Sequence, residues 1–429
     1  MTVQPMAATP ATRPARDLLG GVYAGLDGAA VRWCLLRGGA DGMLPDRDVD
    51  LLVARADLPR AVAVLRACGT VPLASSGRGS HRFFLGFDPG MGSFVELDVV
   101  SELAFGRHFV LASRAEGACL DGRRREGAAW VLRQEDEFWA LLLHCMLDKR
   151  AVGERHAQRL AELAGSASLD SPLVRALPDR AGLLAGVLAA ARAGAWATVT
   201  RNGDTILRQW RREHPLEVAR RSVRGSLLRT AERPMQAWSR RGLSVALLGP
   251  DGAGKSTLAQ GVEKSFCFPV RCVYMGLWQR RETVSGAHRV VLDVALRPFV
   301  VWRRYLASLG HRAIGRLVIF DRYVYDALLP PTGPLVRLKR PYFWLLGRLC
   351  PAPDLVLLLD VPGEVMHARK GERDAVRLEA EREQFVRLQR RLPNAERVDA
   401  DRPPEVVLVD VLGRIWLRYA KRSLRGMAR

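Results

Sequence analysis

Residues 243–262 read LSVALLGPDGAGKSTLAQGV: a continuous apolar run over Val245–Leu248, a turn punctuated by glycines, then apolar residues at helical spacing. Inside it stands the pattern G-x-x-x-x-G-K-S, as Gly249-Pro250-Asp251-Gly252-Ala253-Gly254-Lys255-Ser256. An apolar run without alternation suits a strand buried on both faces, as in a parallel sheet. When such a strand turns directly into a helix, successive backbone N–H groups point inward, and only residues without a Cβ permit so tight a wrap. The helix starting at Lys255 aims its positive end at the same point. The segment therefore predicts a loop that grips the phosphates of ATP through Gly249, Asp251, Gly252, Ala253, Gly254, Lys255, Ser256 and Thr257. In this geometry Lys255 bridges β- and γ-oxygens, and the Ser256 hydroxyl takes one Mg2+ position.

Downstream, Leu317–Phe320 and Leu355–Leu359 are further continuous apolar runs, each ending in a polar residue. Helical patterns separate them, among them Leu378, Phe385, Leu388 and Leu392, stopped by Pro393. Strand, helix, strand in this order predicts an α/β domain with a doubly wound parallel sheet. Asp321-Arg322-Tyr323 follows the run LVIF. An acidic residue at that strand end suits the Mg2+ shell or the acceptor's proton, and Arg322 suits a phosphate clamp.

The wording G-P-D-G-A-G-K-S-T resembles the thymidylate kinase family, whose loop typically reads G-x-D-G-x-G-K-S-T. Asp321-Arg322-Tyr323 is similar to the family's D-R-Y/F. The stretch from Asp354 resembles its next strand and the lid beyond, and ERVDADRPPEVVLVDV resembles its closing segment. The likeness covers about 243–415 and implies a P-loop kinase that uses ATP and Mg2+. It also implies that Asp251 holds the acceptor's sugar, and that Asp321 and Arg322 act beside Lys255. A basic lid of Arg369, Lys370, Arg373 and Arg377 would bring cations to the migrating phosphoryl group, with Arg369 and Arg373 the catalytic pair. With Gly252 and Ala253 in the loop, the chain resembles the variety whose arginines sit in the lid. One departure leaves the acceptor open. Where the family places an R-E-P-like segment, this chain reads GLWQRRETVSG, with Arg280 and Arg281 as loose candidates.

The N-terminal part carries a second pattern. WCLLRGGADGMLPDRDVDLLV resembles the nucleotidyltransferase signature, with Gly38-Gly39 followed by Asp48-Val49-Asp50-Leu51. Alternation along a strand puts Asp48 and Asp50 on one face, as a divalent metal requires. VELDVV offers Asp98, with Glu96 as the second choice, for a third Mg2+-holding carboxylate. Strand candidates are Val31–Leu36, Val49–Val53, Arg82–Phe87 and Phe94–Val100, with Leu58, Val62 and Leu65 at helical spacing between them. An α+β nucleotidyltransferase-like domain is expected over 17–120, after a disordered leader over 1–16. From about 125 to 235 the pattern turns helical, so 121–241 reads as a helical extension and basic connector ahead of the kinase-like domain over 242–429. His81, His144 and His311 lack metal-ligand spacing and read as structural.

Sixty-six Lys and Arg against 45 Asp and Glu give a net charge of +21, which favours anionic partners. Arginines concentrate over 201–241, predicting either a solvated face or a peripheral contact with acidic membrane or nucleic acid. The expected partners are a nucleotide or small-molecule acceptor rather than nucleic acid, with a homodimer as a further expectation. Seven cysteines without CxxC spacing, and an N-terminus without an apolar h-region, point to a reducing cytoplasm. The apolar stretch 183–199 is short and interrupted by Arg192, so it predicts a buried helix rather than a membrane span. Three functions follow: phosphoryl transfer by the C-terminal domain, nucleotidyl transfer to a sugar, antibiotic or protein by the N-terminal carboxylates, or a nucleotide-gated module docked on membrane.

Overall fold

The computed structural model describes residues 17–37, 48–74, 78–175, 177–179, 182–239, 242–276, 287–330, 336–371 and 373–427. Gly38, Gly39, Arg280 and Arg281 lie outside them. Chain contacts separate two units, Met1–Gln236 and Ala237–Arg429.

The first unit is built on a mixed sheet. Its strands are β1 (Trp33–Leu35), β2 (Asp48–Val53), β3 (Val71–Pro72), β4 (Arg82–Asp88), β5 (Ser93–Val100), β8 (Arg124–Glu126) and β9 (Ala129–Val131), with β6 (Ala104–Phe105) and β7 (Leu111–Ala112) forming a separate ribbon. The order across the sheet is β3-β4-β5-β2-β1-β9-β8. Val95, Leu97 and Val99 alternate with half-buried Phe94, Glu96 and Asp98 along β5, so one face is apolar and the other carries carboxylates. The apolar face packs under the helices Leu18–Gly28 and Leu58–Ala67, where Leu26, Ala61 and Leu65 join Val49, Leu51 and Leu97 in one core. Asp17 caps the first of these helices by accepting from the Leu19 and Gly20 amides.

A second core in the same unit joins Leu52 and Val100 to the helices that follow, through Phe138, Leu142, Leu160 and Val187. Two sequence expectations need correcting here. Helix was expected from about 125, but Arg124–Val131 is a tight hairpin turned at Gly127, whose φ is +54°. Its strands are too short for a period-2 signal to stand out. The single buried helix expected over 183–199 is two, Leu183–Arg192 and the start of Trp196–Glu213, broken at Gly194 with φ +68°. Nor is the whole basic stretch a connector. The helix Trp196–Glu213 buries Val199, Ile206, Leu207 and Trp210, and the Trp210 indole donates to the Val110 carbonyl at 3.0 Å. Among the described residues no helix is long and apolar enough to cross a membrane.

The second unit is α/β. Strands β10 (Leu243–Leu248), β11 (Val270–Tyr274), β12 (Leu317–Asp321), β13 (Leu355–Asp360) and β14 (Ala395–Asp399) form a sheet in the order β11-β12-β10-β13-β14. All its neighbours are parallel, with Leu247 opposite Asp321 on one side and opposite Leu357 on the other. Helices cover the sheet, as the continuous apolar runs of β10, β12 and β13 require. Ala246, Leu248, Phe320, Tyr323, Leu358 and Phe385 share its core. Because β12 and β13 flank β10 on opposite sides, the chain leaves the central strand in two directions. A crevice opens at the carboxyl end of that strand, the place where doubly wound sheets take ligands.

Candidate phosphate-binding site

The loop leaving β10 is shaped by three glycines at positive φ: Gly249 at +143°, Gly252 at +91° and Gly254 at +87°. A Cβ on Gly249 would stand 3.0 Å from the Leu359 carbonyl oxygen, and one on Gly252 would stand 3.1 Å from that of Met366. The loop therefore lies close against the end of β13 and the helix that follows it. Gly254 hands over to the helix Lys255–Ser265, whose first amides face the loop's interior.

Lys255 is buried, and its Nζ donates to the carbonyls of Gly249 at 2.9 Å and Pro250 at 2.7 Å. Burial, and then the neighbouring Arg322 charge, lower its pKa from 10.5 to about 8. Asp251, Asp326 and Asp321 attract this ammonium from a distance, and among the described residues no carboxylate forms an ion pair with it. Phosphate oxygens inside the loop would supply such a pair. Ser256 Oγ donates to Asp321 Oδ2 at 2.8 Å, so the hydroxyl at the helix start and the carboxylate at the end of β12 meet. A hydroxyl beside a carboxylate suits Mg2+, which takes one or two protein oxygens and keeps its waters. Among the described residues no three His, Cys, Asp or Glu side chains are grouped to hold a metal ion.

Arginines surround the loop. Arg322 adopts φ +65°, uncommon for a residue with a side chain, and this turn sends its guanidinium back to Asp251 and to Asp326 at 3.3 Å. Arg373 lies 3.4 Å from the other Asp251 oxygen and donates to Glu381 at 2.9 Å. Arg369, on the helix Gly363–Lys370, reaches the Ala400 carbonyl at 3.3 Å and lines the cleft. Arg377 points instead toward Glu381, 3.8 Å away. The cleft of about 480 Å3 is bounded by Asp251, Lys255, Ser256, Tyr274, Asp321 and Arg369. Thr257 and Ala253 face an adjoining cavity of about 350 Å3, walled by Leu258, Leu359, Ala400 and Pro404, with Arg402 at one side. Charged side chains and glycines line the first, and a more apolar slot adjoins it.

Sequence patterning does not single out two carboxylates here. Burial raises the Asp326 pKa even against the charges of Arg322 and Lys255, and the residue sits under the arginine it orients. Its spacing of five residues from Asp321 was the one available hint. Asp360, at the end of β13, accepts from Arg382 at 2.6 Å and from Arg397 at 2.7 Å. Burial alone would raise its carboxyl; the two arginines bring it below the usual range.

In the first unit, β2 and β5 run parallel with Asp48 opposite Glu96 and Asp50 opposite Asp98, so the four carboxylates share one sheet face. Asp50 is paired with Arg37 at 2.5 Å. His81 Nδ1 lies 2.7 Å from Asp98 Oδ2, a contact between residues that spacing alone does not connect. Burial and then the Asp48 and Asp98 charges raise the Glu96 pKa. Burial also raises Asp98, against the opposing pull of His81, and its Oδ1 is buried without a hydrogen-bond partner among the described residues.

No family model matches the chain, and no curated protein matches it. Among solved structures it is similar to thymidylate kinase from Candida albicans, at 20% identity over 41% of this chain and 91% of that one, with a TM-score of 0.33.

Proposed function

We propose that the second unit is a nucleotide kinase domain, moving the γ-phosphoryl group of ATP to a nucleoside monophosphate, dTMP-like, or a related small acceptor. One observation carries the reading. A buried lysine, a hydroxyl–carboxylate pair and a loop of positive-φ glycines converge where the central parallel strand becomes a helix. Loop amides would hold the phosphates, and Lys255 would exchange the Gly249 and Pro250 carbonyls for β- and γ-oxygens. Ser256 and Asp321 would hold Mg2+, which supplies charge neutralisation across those oxygens. Arg322, set by Asp326, faces the acceptor side together with Asp251. Arg369 and Arg373 stand where cations would steady the phosphoryl group in transit and exclude water from it. The apolar slot beside Thr257 would take the adenine.

The test is release of ADP from ATP and Mg2+ across a panel of nucleosides, nucleotides and sugar phosphates. Lys255→Ala should lower turnover by about a hundredfold or more, the scale of losing a preorganised charge at a transferring group. Turnover equal to that of the parent protein would end this reading.

A second reading places nucleotidyl transfer in the first unit. It is favoured by the in-register Asp50–Asp98 pair and by Asp98 Oδ1, buried without a hydrogen-bond partner among the described residues. Asp48, Asp50 and Asp98 share one sheet face without being grouped as a metal site, so they would have to draw together to hold Mg2+. Pyrophosphate release that persists in Lys255→Ala and disappears in Asp50→Asn with Asp98→Asn would support it; loss in the first variant would exclude it.

A further inference from the structure

Beside the carboxylate group, with which it shares His81, the first unit carries an open cavity of about 630 Å3 between the helix Leu58–Ala67, strands β3 and β4, and the helix Pro215–Ser239. Its apolar part is contributed by Leu58, Val62, Leu73, Phe84 and Leu228. Around this floor stand Arg55, Arg66, Arg82, Arg220 and Arg224. None of these five side chains has a hydrogen-bond or ion-pair partner among the described residues. Glu102 is the one carboxylate in the lining, and it is already taken by Arg221, whose NH2 lies 2.6 Å from it. Arg221 also donates to the Phe109 carbonyl at 3.1 Å and to Glu217 at 3.0 Å, so it is a structural tie and leaves the other five uncompensated.

The wall carrying Arg220 and Arg224 is seated firmly. A Cβ on Gly225 would fall 2.7 Å from His108 Nδ1, so the helix rests against the His108 turn as closely as glycine allows. His108 Nδ1 is itself buried without a partner, and the residue lines the same cavity. Like charges gathered around one open, partly apolar cavity make it attractive to an anion, and guanidinium groups suit phosphoryl oxygens in particular. The volume exceeds a bare phosphate and falls in the range of small-molecule pockets.

We infer that this cavity is a binding site for a phosphoryl-bearing small anion with an apolar or sugar portion, held by Arg55, Arg66, Arg82, Arg220 and Arg224. The phosphoryl group comes either from a soluble phosphorylated compound or from a phospholipid headgroup. The second source is kept in view because Leu216, Val223 and Leu227 are exposed on the same helix.

The experiment measures pyrophosphate binding to the full chain by titration calorimetry in a Lys255→Ala background, which removes the chief cation of the phosphate loop. Expected is saturable binding that weakens with added salt and falls at least tenfold when Arg82→Ala and Arg224→Ala are introduced. Arg82→Lys with Arg224→Lys should keep most of it, which separates lost charge from lost folding. A flotation arm uses phosphatidylcholine vesicles containing phosphatidylglycerol. Pyrophosphate binding without flotation assigns the group to a soluble compound; flotation that pyrophosphate competes away assigns it to a headgroup. Absent pyrophosphate binding, or binding indifferent to the alanine substitutions, overturns the proposal whatever the vesicles show.

Discussion

At the scale of single residues, the phosphate loop separates two reasons for glycine. Gly252 and Gly254 both adopt left-handed backbone, at φ +91° and +87°. A Cβ on Gly254 meets nothing within 4 Å, whereas one on Gly252 presses on the Met366 backbone. Alanine at 254 therefore carries only the dihedral cost, about 1–2 kcal/mol. Alanine at 252 adds a tight contact, 3.1 Å from the Met366 carbonyl oxygen, so the loop or that main chain must shift by a few tenths of an ångström. Gly252→Ala should weaken ATP binding at least tenfold more than Gly254→Ala does, with far-UV circular dichroism unchanged in both. Calorimetric titration with Mg-ATP decides the order, and a larger loss in Gly254→Ala would show that the loop's contact with the chain beyond β13 does not shape it. These glycines are legible in the sequence because the backbone conformation they serve admits few other residues. Arg322 is legible as an arginine, but its left-handed turn and its hold on Asp251 are not: both depend on Asp326 and Asp251 arriving from separate elements.

At the scale of elements, what sequence patterning resolves is what burial repeats. The apolar runs Leu317–Phe320 and Leu355–Leu359 appear as β12 and β13 within a residue of where they were expected, while β10 starts two residues ahead of the run Val245–Leu248, at Leu243. The edge strands β11 and β14 and the hairpin β8–β9 carry Arg and Glu among few buried positions, so periodicity is a weak signal there. In β2 and β5 the alternation predicted that Asp48 and Asp50 share a face, and the parallel register adds Glu96 and Asp98. His81 joins that group through the antiparallel pairing of β4 with β5, a long-range contact invisible to local pattern. The helix Ala375–Gln389 depends on a similar contact. Asp360 at the end of β13 receives Arg382 from the helix Ala375–Gln389, and Arg382 also bonds Glu379, whose Oε2 accepts from the Gly363 amide. Asp360 has a folded pKa below its ordinary 3.8, so its contribution to stability is complete above that pH and is lost as pH falls through the lower folded value. Asp360→Asn should cost roughly 1–3 kcal/mol at neutral pH, less than a wholly buried pair because Arg397 is half exposed. The gap between variant and parent should narrow as the buffer is taken below about pH 4. Urea unfolding at pH 7, 5 and 3 measures it, and a gap independent of pH would remove Asp360 as the charge that docks this helix.

At the scale of the whole molecule, each unit has hydrophobic clusters of its own. One pair of cores joins residues from Leu18 to Trp210, and a separate core joins Ala246 to Leu388. Two such units need not unfold together, because the cooperative block is the set of residues sharing one core. A nucleotide that binds only the phosphate loop stabilises only the unit containing that loop. At a free concentration about a hundred times its dissociation constant, the gain is about 2.7 kcal/mol. For a unit of this size that corresponds to a rise in Tm of roughly 5–10 °C. Scanning calorimetry of the full chain should therefore resolve two transitions, of which saturating Mg-ATP moves one. Lys255→Ala should cancel that movement and leave the other transition where it was. If both transitions rise together with Mg-ATP in the parent protein, nucleotide occupancy is coupled to the first unit as well, and the phosphate loop acts as a sensor for the other half of the chain rather than for its own domain alone.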